Sequence, residues 1–351
     1  MEACLNIALT SLYLPSASKI GVGYQVHGLA NALVSRGHSV TVFTPCPRPS
    51  DANYDLRIIP PGRRFRTFGF AWDLRKIDFS GFDCLNAHGD DWFLWGIRRP
   101  RHIHTYHGSC LAEALNAATF KDKLRMTMLA LCEQQSVLLP DETVAVSENT
   151  RKYVRGIRHV IPCGVDLSRF SPGKQKSDHP AILFVGTLHG RKRGRWLVDL
   201  FSQHVRPRIP QAELWCVCDA PAGLPVPPGV QFLGRVDENQ LIDLYRRAWV
   251  FCLPSTYEGF GVPYIEAMAS GLPVVTTANP GSLEVTRGGR DGKIVEDAEL
   301  GGALCQVLHE RAQRQQLADL GLARSRDFGW DSICARYEAL YFSNTAAPVT
   351  A

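Results

Sequence analysis

The sequence predicts an α/β protein made of two domains with parallel sheets. A chain of 351 residues is long enough for two domains of ordinary size. Near the N-terminus, residues 5–14 read as a strand, 24–36 as a helix and 40–43 as a second strand. A second strand–loop–helix–strand unit occupies residues 249–277. Units of this kind are typical of chains whose helices cover the faces of parallel sheets.

The composition is that of a globular protein, with 45% hydrophobic and 21% charged residues. No apolar run approaches the ~20 residues that span a bilayer, and the N-terminus lacks the basic start of a signal peptide. The 11 cysteines include no C-x-x-C pair, which predicts a reduced, cytoplasmic setting without disulfides or a zinc site. The net charge of +5 suits an anionic ligand or a membrane surface, and selects neither.

The chemically most informative stretch is residues 251–277, FCLPSTYEGFGVPYIEAMASGLPVVTT. The apolar run from Trp249 to Leu253 predicts a buried parallel strand, because it is short, continuous and followed by turn residues. A helix is predicted from about Pro263 to Ser270, since proline suits a first helical position and Gly271 suits the stop. The next strand is predicted at 273–277.

This layout favours a phosphate-bearing ligand. Gly259 and Gly261 let the backbone approach a ligand and leave N–H groups at a helix N-terminus, which attracts anions. Glu258 follows a strand, where open α/β sheets bind ligands. Glu266 comes about two helical turns later, and its carboxylate suits the paired hydroxyls of a ribose. The spacing alone also occurs in α/β proteins that bind no nucleotide.

The segment EGFGVPYIEAMASGLPVV closely resembles the E-x7-E motif of retaining glycosyltransferases with the GT-B fold, in particular glycosyltransferase family four, or group 1. The resemblance implies two Rossmann-like domains facing each other across a cleft. It also implies a UDP- or GDP-sugar as co-substrate, a hydroxyl acceptor, and no further cofactor or metal. The domains are then predicted at 1–170 for the acceptor and 179–326 for the donor, with a helix at 327–345 crossing back to the first domain.

Residues of the first domain enter the predicted site through the same resemblance. A turn with Gly21 and Gly23 opens the first helix, without a full G-x-G-x-x-G run. By resemblance Gly23 lines the cleft, as does Lys19, which reads equally well as a solvated loop lysine. The YHG step resembles the family's His-Gly at a strand end, so His107 is the predicted contact to the transferred sugar.

Other polar residues of this domain are given structural interpretations. His102 and His104 alternate along a strand, so both are predicted on one face of the sheet and not on the face of His107. Asp90 and Asp91 are adjacent and do not form a D-x-D metal site, so they are interpreted as a loop or a helix cap.

Residues 57–76, RIIPPGRRFRTFGFAWDLRK, interleave arginines with aromatic residues. Four interpretations stay open: a solvated edge, an acceptor-site wall, a patch for peripheral membrane contact, and the least favoured, a surface that stacks on nucleic acid bases. The predicted partners are therefore a nucleotide sugar and an acceptor, with membrane contact through this domain and no nucleic acid. The predicted location is the cytoplasm, with the inner face of the plasma membrane as the peripheral alternative.

The second domain supplies the predicted diphosphate site. After the strand 181–185, a loop with Arg191 and Lys192 leads into a helix and offers cations to phosphate oxygens. By resemblance these two side chains hold the donor diphosphate, although Thr187 stands where relatives often have arginine. The resemblance places the backbone of Arg235 and Val236 against the nucleotide base. The resemblance also implies that five residues of the E-x7-E motif contact the donor: Gly259, Phe260, Gly261, Val262 and Glu266.

The phrase CGVDLSRFSP resembles the family's N-G-V-D-x-x-x-F-x-P, with Cys163 in place of asparagine, and precedes the predicted linker at 172–180. The remaining predicted strands are 82–88, 102–107, 143–147, 213–218, 230–233 and 293–296, and the remaining helices are 147–156, 241–248, 302–320 and 328–341.

The sequence therefore predicts transfer of a hexose-type sugar to a hydroxyl, in cell-envelope or secondary-metabolite biosynthesis. Glu258 and His107 are the predicted catalytic residues. Two alternatives remain at this stage, a nucleotide-sugar epimerase of the same fold and a non-catalytic nucleotide-sugar-binding protein.

Overall fold

The computed structural model describes residues 4–16, 21–60, 66–117, 119–221, 223 and 225–343. The chain divides into two compact units, one formed by Met1–Gly164 with Trp330–Ala351 and the other by Val165–Gly329. The predicted limits at 170 and 327 differ from these by a few residues and the limit at 179 by more, because 165–170 and the predicted linker belong to the second unit. The final helix belongs to the first unit.

The first unit contains a seven-stranded parallel sheet in the order β3-β2-β1-β4-β5-β6-β7. Its strands are β1 (Asn6–Thr10), β2 (Ser39–Thr44), β3 (Asp55–Ile58), β4 (Cys84–Ala87), β5 (Arg101–Tyr106), β6 (Glu142–Ala145) and β7 (His159–Val160). Its helices are α1 (Gly21–Ser35), α2 (Arg66–Asp73), α3 (Cys110–Leu115), α4 (Phe120–Ser136) and α5 (Glu148–Tyr153), with α12 (Trp330–Phe342) from the chain end.

The second unit contains a six-stranded parallel sheet in the order β10-β9-β8-β11-β12-β13. Its strands are β8 (Ala181–Val185), β9 (Glu213–Val217), β10 (Val230–Phe232), β11 (Val250–Cys252), β12 (Val274–Thr277) and β13 (Lys293–Val295). Its helices are α6 (Gly194–Leu200), α7 (Glu238–Arg247), α8 (Val262–Ala269), α9 (Pro280–Val285), α10 (Leu300–His309) and α11 (Arg311–Ser325).

The central strands of both sheets are buried on both faces, as their near-continuous apolar runs require. Each sheet has one topological switch point, where successive strands begin to be added on the opposite side. It lies between β1 and β4 in the first unit and between β8 and β11 in the second. Open α/β sheets bind ligands beyond the carboxyl ends of the strands at such points. The fold therefore marks the loops after β1, β4, β8 and β11 before any side chain is considered.

Most predicted elements form within a few residues of their expected limits, but α3, α4 and α9 were not predicted and some other elements differ from expectation. The helix expected over 302–320 is two helices, because the backbone at Glu310 is extended and the guanidinium of Arg314 caps the carbonyls of Val307 and Leu308. Helix α1 begins at Gly21 rather than at 24. The edge strand β3 was not predicted, and it is largely exposed.

The final helix is anchored to the first unit by a buried ion cluster. The guanidinium of Arg36 donates to both oxygens of Glu338 at 2.6 and 2.7 Å, and His38 Nε2 lies 3.0 Å from the same carboxylate. The Trp330 ring occupies the space that a Cβ atom on Gly28 or Gly164 would need. None of the helices in the described part of the chain is both long and apolar enough to cross a bilayer.

Candidate active site

The loops after β8 and β11 meet at Glu258, whose carboxylate is paired with two cations. Arg191 Nη1 lies 3.1 Å from Oε2 of Glu258, and Lys192 Nζ lies 2.7 Å from Oε1. Arg191 also donates to the carbonyl of Tyr257 at 2.9 Å. Glu258 is 4% exposed and Lys192 is largely buried, whereas the Arg191 side chain is about half-exposed. Burial lowers the pKa of the Lys192 ammonium, and the charge of Glu258 opposes that shift.

The backbone that follows Glu258 leads directly into the N-terminus of α8. Gly261 is the N-cap residue with φ of 97°, a left-handed conformation that favours glycine, and no side chain caps the helix. A Cβ atom at Gly261 would also lie 2.5 Å from the Tyr264 ring. Phe260 is buried against Phe328, with ring centroids 5.7 Å apart, so its side chain has a packing role. An uncapped N-terminus beside two cations is suited to an anion.

Glycine 281 lets helix α9 approach this loop. A Cβ atom there would lie 2.4 Å from the carbonyl oxygen of Phe260 and 2.8 Å from Cβ of Glu258. On the same side, Asn279 donates from Nδ2 to the hydroxyl of Tyr264 at 3.1 Å and caps α9. The loop carrying Glu258 is therefore positioned from three sides by β11, α8 and α9.

Glu266 lies on α8 and accepts a hydrogen bond from the hydroxyl of Tyr245 on α7 at 2.8 Å. Burial raises the pKa of Glu266 to about 7, and the hydrogen bond from Tyr245 opposes the shift only in part. The other carboxylate oxygen has no hydrogen bond within the described residues. Arg235, which is exposed, and Val236, which is half-buried, lie in the loop between β10 and α7.

In the first unit, His107 follows β5 and His88 follows the neighbouring strand β4. His88 Nδ1 and His107 Nε2 are 2.8 Å apart. Burial lowers the pKa of His107 to about 4 and that of His88 well below its usual range, so both rings are neutral near pH 7. Both rings line a small cavity that also includes Gln25, Gly164 and Tyr337.

Asp91 lies in the loop after β4, as the loop alternative predicted, and its carboxylate accepts from His104 and lies against His102, which the sequence did not predict. The Oδ1 atom is 2.7 Å from His104 Nδ1, and Oδ2 is 2.9 Å from His102 Nε2. Burial alone would raise the pKa of Asp91, but the imidazole partners outweigh it and hold that pKa well below its usual range. The prediction that His102 and His104 share one face of the sheet is confirmed. No helix begins after Asp91 in the described residues 92–97.

The neighbouring Asp90 is strained and buried. Its φ is 64°, and its carboxylate, on a residue 8% exposed, has no hydrogen bond within the described residues. Burial, with the adjacent charge of Asp91, raises the pKa of Asp90 to about 7. Strain of this kind in a non-glycine residue often accompanies a functional site. The sequence alone gave no reason to expect it.

Gly23 occupies the first turn of α1 rather than the predicted loop. A Cβ atom at Gly23 would lie 3.0 Å from backbone atoms of Leu14, so close packing already accounts for this glycine. A role of Gly23 in donor binding stays a prediction. Lys19 lies outside the described residues.

The stretch 57–76 is only partly described, since 61–65 lie outside the described residues. Phe70 is buried, and Phe68 packs on Trp92 with ring centroids 5.5 Å apart. Trp72 is 56% exposed and has the guanidinium of Arg75 5.4 Å from its ring centroid. Most of the described aromatic rings here thus serve packing within the unit.

Two arrangements can be distinguished chemically. The cations and helix N-terminus around Glu258 can hold a diphosphate, and the carboxylates of Glu258 and Glu266 can accept hydrogen bonds from hydroxyl groups. In the described part of the chain, no group of three or more His, Cys, Asp or Glu side chains has the arrangement of a metal site. Three residues that contact the predicted site residues were not identified from the sequence: His88, Tyr245 and Gly281. Each acts through contacts between separate elements of the fold.

Two family models match the chain. The model described as Glycosyltransferase Family 4 matches residues 20–169, and the model described as Glycosyl transferases group 1 matches residues 179–310. The D-inositol 3-phosphate glycosyltransferase of Corynebacterium urealyticum is 26% identical over 414 aligned positions, which span 98% of this chain and 97% of the relative.

Solved structures agree on the fold. Sucrose-phosphate synthase from Thermosynechococcus elongatus is similar with a TM-score of 0.80 and 24% identity, and covers 98% of this chain and 100% of its own. Anabaena HepE, solved in complex with UDP-glucose, is similar with a TM-score of 0.76 and 16% identity, over 97% of this chain and 100% of its own. The predicted α/β fold with two Rossmann-like domains of the GT-B type is confirmed.

Proposed function

Since the chain belongs to the group 1 glycosyltransferases of glycosyltransferase family 4, we propose that it transfers a hexose-type sugar from a nucleotide diphosphate sugar to a hydroxyl acceptor, with retention of configuration. The observation that carries the proposal is the pairing of Glu258 with Arg191 and Lys192 beside the uncapped N-terminus of α8. UDP- and GDP-sugars are both candidate donors, and HepE supplies the UDP-glucose precedent.

In this proposal the second unit stabilises the leaving diphosphate. When the bond between the sugar and the phosphate oxygen breaks, negative charge grows on the nucleotide. Arg191 and Lys192, with the backbone N–H groups of 259–262, offer fixed positive potential to that charge. They replace the divalent cation that other transferases use, so the reaction is proposed to need no metal and no further cofactor.

The two glutamates bind hydroxyl groups of the donor. Glu258 accepts hydrogen bonds from the sugar near the reacting carbon, because its carboxylate contacts the two cations that hold the diphosphate in this proposal. Glu266 accepts from the ribose hydroxyls, with Tyr245 fixing its carboxylate from the other side. His107 contacts the transferred sugar from the first unit, and the backbone of Arg235 and Val236 contacts the base.

The proposed chemistry follows the retaining pattern of the family. The acceptor oxygen forms its bond to the anomeric carbon on the face from which the diphosphate leaves. The acceptor proton passes to a phosphate oxygen of the leaving group, so charge and atoms balance without a separate protein base. The acceptor is proposed to be a polyol or glycolipid hydroxyl of cell-envelope or secondary metabolism, in keeping with the D-inositol 3-phosphate named for one relative.

Peripheral membrane contact is proposed through α4 rather than through the aromatic stretch at 66–76. The apolar side chains of α4 recur at helical spacing on its exposed face: Phe120 81%, Leu124 54%, Met128 58% and Leu131 66% exposed. Lys121, Lys123 and Arg125 lie in the first two turns of the same helix. An apolar face with basic residues beside it fits the interface of an anionic bilayer.

The test of donor binding is thermal stabilisation by a panel of UDP- and GDP-sugars without added metal. A ligand at ~100 times its dissociation constant adds about 2.7 kcal/mol to the free energy of unfolding. We expect stabilisation by one donor class that is lost in Arg191→Ala. Arg195→Ala is the matched control, because Arg195 is about half-exposed and its one ion pair within the described residues is with Asp199 on the surface of α6.

Transfer itself is tested by product analysis. Consumption of the donor that requires an acceptor, with retained anomeric configuration in the product, supports the proposal. Turnover without an acceptor would instead identify an epimerase, and binding without turnover would identify a non-catalytic protein. Full transfer activity in Glu258→Gln would contradict the role given to Glu258.

A further inference from the structure

The two histidines at the carboxyl ends of β4 and β5 form a hydrogen-bonded pair whose hydrogen positions can be deduced. His88 Nδ1 and His107 Nε2 are 2.8 Å apart, so one nitrogen donates and the other accepts. His88 is 5% exposed and His107 is half-buried. The second nitrogen of His88, Nε2, is buried and has no hydrogen-bond partner within the described residues.

The unpartnered nitrogen decides between the two arrangements. If His107 donated, His88 would have to carry its hydrogen on Nε2, which would bury an N–H group without an acceptor. If His88 donates from Nδ1, its Nε2 is a bare acceptor, and His107 carries its hydrogen on Nδ1. An unsatisfied buried donor is the rarer and costlier of the two. The second arrangement is therefore favoured.

Among the described residues that line the cavity, which include Cys163 and Trp330, no atom is hydrogen-bonded to His88 Nε2. Both histidines line the same small cavity, where the side-chain amide of Gln25 is already bonded to the N–H and the carbonyl of Gly164, at 2.7 and 3.0 Å. The Tyr337 hydroxyl on this cavity lies 3.3 Å from Oγ1 of Thr105. The rest of the lining includes apolar side chains such as Leu29 and Ile333.

We propose that His88 is a positioning residue that fixes His107 in the Nδ1–H tautomer, so that His107 presents a hydrogen-bond donor to a hydroxyl of the transferred sugar. The inference rests on the proposed function for the role of the donor, and on the geometry alone for the tautomer. It explains why a histidine at the end of β4, remote in sequence from His107, is buried with one nitrogen unused. A lone His107 would populate both tautomers and several ring orientations, which would weaken a directional contact.

The tautomer is tested directly by NMR on the full chain with 15N-labelled histidine, using His107→Gln to assign the signals. We expect Nδ1 of His107 to carry the hydrogen in the parent protein. In His88→Leu, which removes the donor, we expect a mixture of tautomers. In His88→Asn, whose amide nitrogen can stand in for Nδ1, we expect the parent pattern to return. A hydrogen on Nε2 of His107 in the parent protein, or an unchanged tautomer in His88→Leu, would overturn the inference.

Kinetics separate positioning from a structural role. His88→Leu should lower kcat roughly 10- to 100-fold with little change in the KM for the donor, and His88→Asn should recover most of the loss. His159→Gln is the control, because His159 is a partly exposed histidine that pairs with Glu142 at the edge strand β7. Unfolding curves for each variant establish that it folds. Equal kcat in His88→Leu and the parent would refute positioning, whereas absence of any transfer in the parent would refute the proposed function and leave the tautomer result standing.

Discussion

Lys192 Nζ lies 2.7 Å from Oε1 of Glu258, in a position where Arg191 already holds the other carboxylate oxygen at 3.1 Å. In the free protein this one carboxylate is thus paired with two cations, which leaves one positive charge in excess. A diphosphate that binds here competes with Glu258 for the cations, while its sugar hydroxyls offer Glu258 new hydrogen-bond donors. Exchange of partners of this kind would leave the Glu258 carboxylate hydrogen-bonded in both states.

Replacing Lys192 with alanine should weaken nucleotide-sugar binding at least ~10-fold, since one of two cations facing the diphosphate is lost. It should also lower the free energy of unfolding by about 1–3 kcal/mol, because the buried Glu258 is left with one partner. Calorimetric titration and urea unfolding measure the two effects. Lys192→Arg keeps the charge and should retain more affinity. Unchanged affinity in Lys192→Ala would exclude Lys192 from the site.

Donor affinity should fall as the pH decreases through 7, because Glu266 has a pKa of about 7 and only its ionised form accepts two hydroxyl donors. Between pH 8 and pH 6 the loss should be roughly fivefold to tenfold. A nucleotide sugar is the right probe, since its diphosphate diester does not titrate in this range. Glu266→Gln should bind more weakly at pH 8 and show no such pH dependence. The same slope in both proteins would assign the titration to another group.

Glycine 281 should not tolerate a methyl group, because a Cβ atom there would lie 2.4 Å from the carbonyl oxygen of Phe260. Gly281→Ala should destabilise the protein by about 1–3 kcal/mol and reduce donor affinity, as the loop of Glu258 is displaced. Gly302→Ala is the matched control. Gly302 lies in α10 with nothing within 4 Å of a Cβ atom, so that variant should gain stability by about 0.5–1 kcal/mol. Equal behaviour of the two variants would contradict the packing argument.

The protein should sediment with vesicles that contain phosphatidylglycerol and much less with pure phosphatidylcholine. The double substitution Leu124→Gln and Leu131→Gln should reduce this binding at least ~10-fold, because two exposed apolar side chains of α4 can no longer enter the bilayer interface. Leu320→Gln, on α11 of the other unit, is the control. Sedimentation that is indifferent to anionic lipid would refute the membrane proposal.

Glu338→Gln should loosen the final helix from the first unit and cost about 1–3 kcal/mol of unfolding free energy at pH 7. The hydrogen bonds from Arg36 lower the pKa of Glu338, so the ionised form contributes stability above its unfolded pKa. That contribution is lost as the pH falls through the folded pKa. The difference between parent and variant should therefore shrink below about pH 4. Urea unfolding at several pH values measures it, and a constant difference would point to packing instead of charge.

The sequence was most informative where chemistry is carried by neighbouring residues. The strand, loop and helix around Glu258 were predicted within about two residues, because glycine, proline and apolar periodicity act locally. The family resemblance assigned both Glu258 and Lys192 to the site, but their pairing was not predicted, since it joins loops after two different strands.

The pair of His88 and His107 could not be predicted, since it depends on β4 and β5 being neighbours and on where each strand ends. The contacts of Asp91 were missed for the same reason, because its partners His102 and His104 lie on the neighbouring strand β5. The aromatic stretch before residue 76 looked like a surface feature because its alternation does not reveal that Phe70 points into the core.

The course of the chain has a practical consequence for dissecting the protein. Residues 165–329 form one uninterrupted segment whose ends are adjacent, since Val165 bonds to the carbonyl of Phe328 at 2.9 Å. The two pieces of the first unit likewise meet, at Gly164 and the Trp330 ring. In the order of the chain, the second unit is therefore an inserted domain between residues 164 and 330 of the first unit. We therefore expect that each unit can be encoded as a single polypeptide, one by excision of 165–329 and the other by joining 164 to 330 through a short glycine bridge.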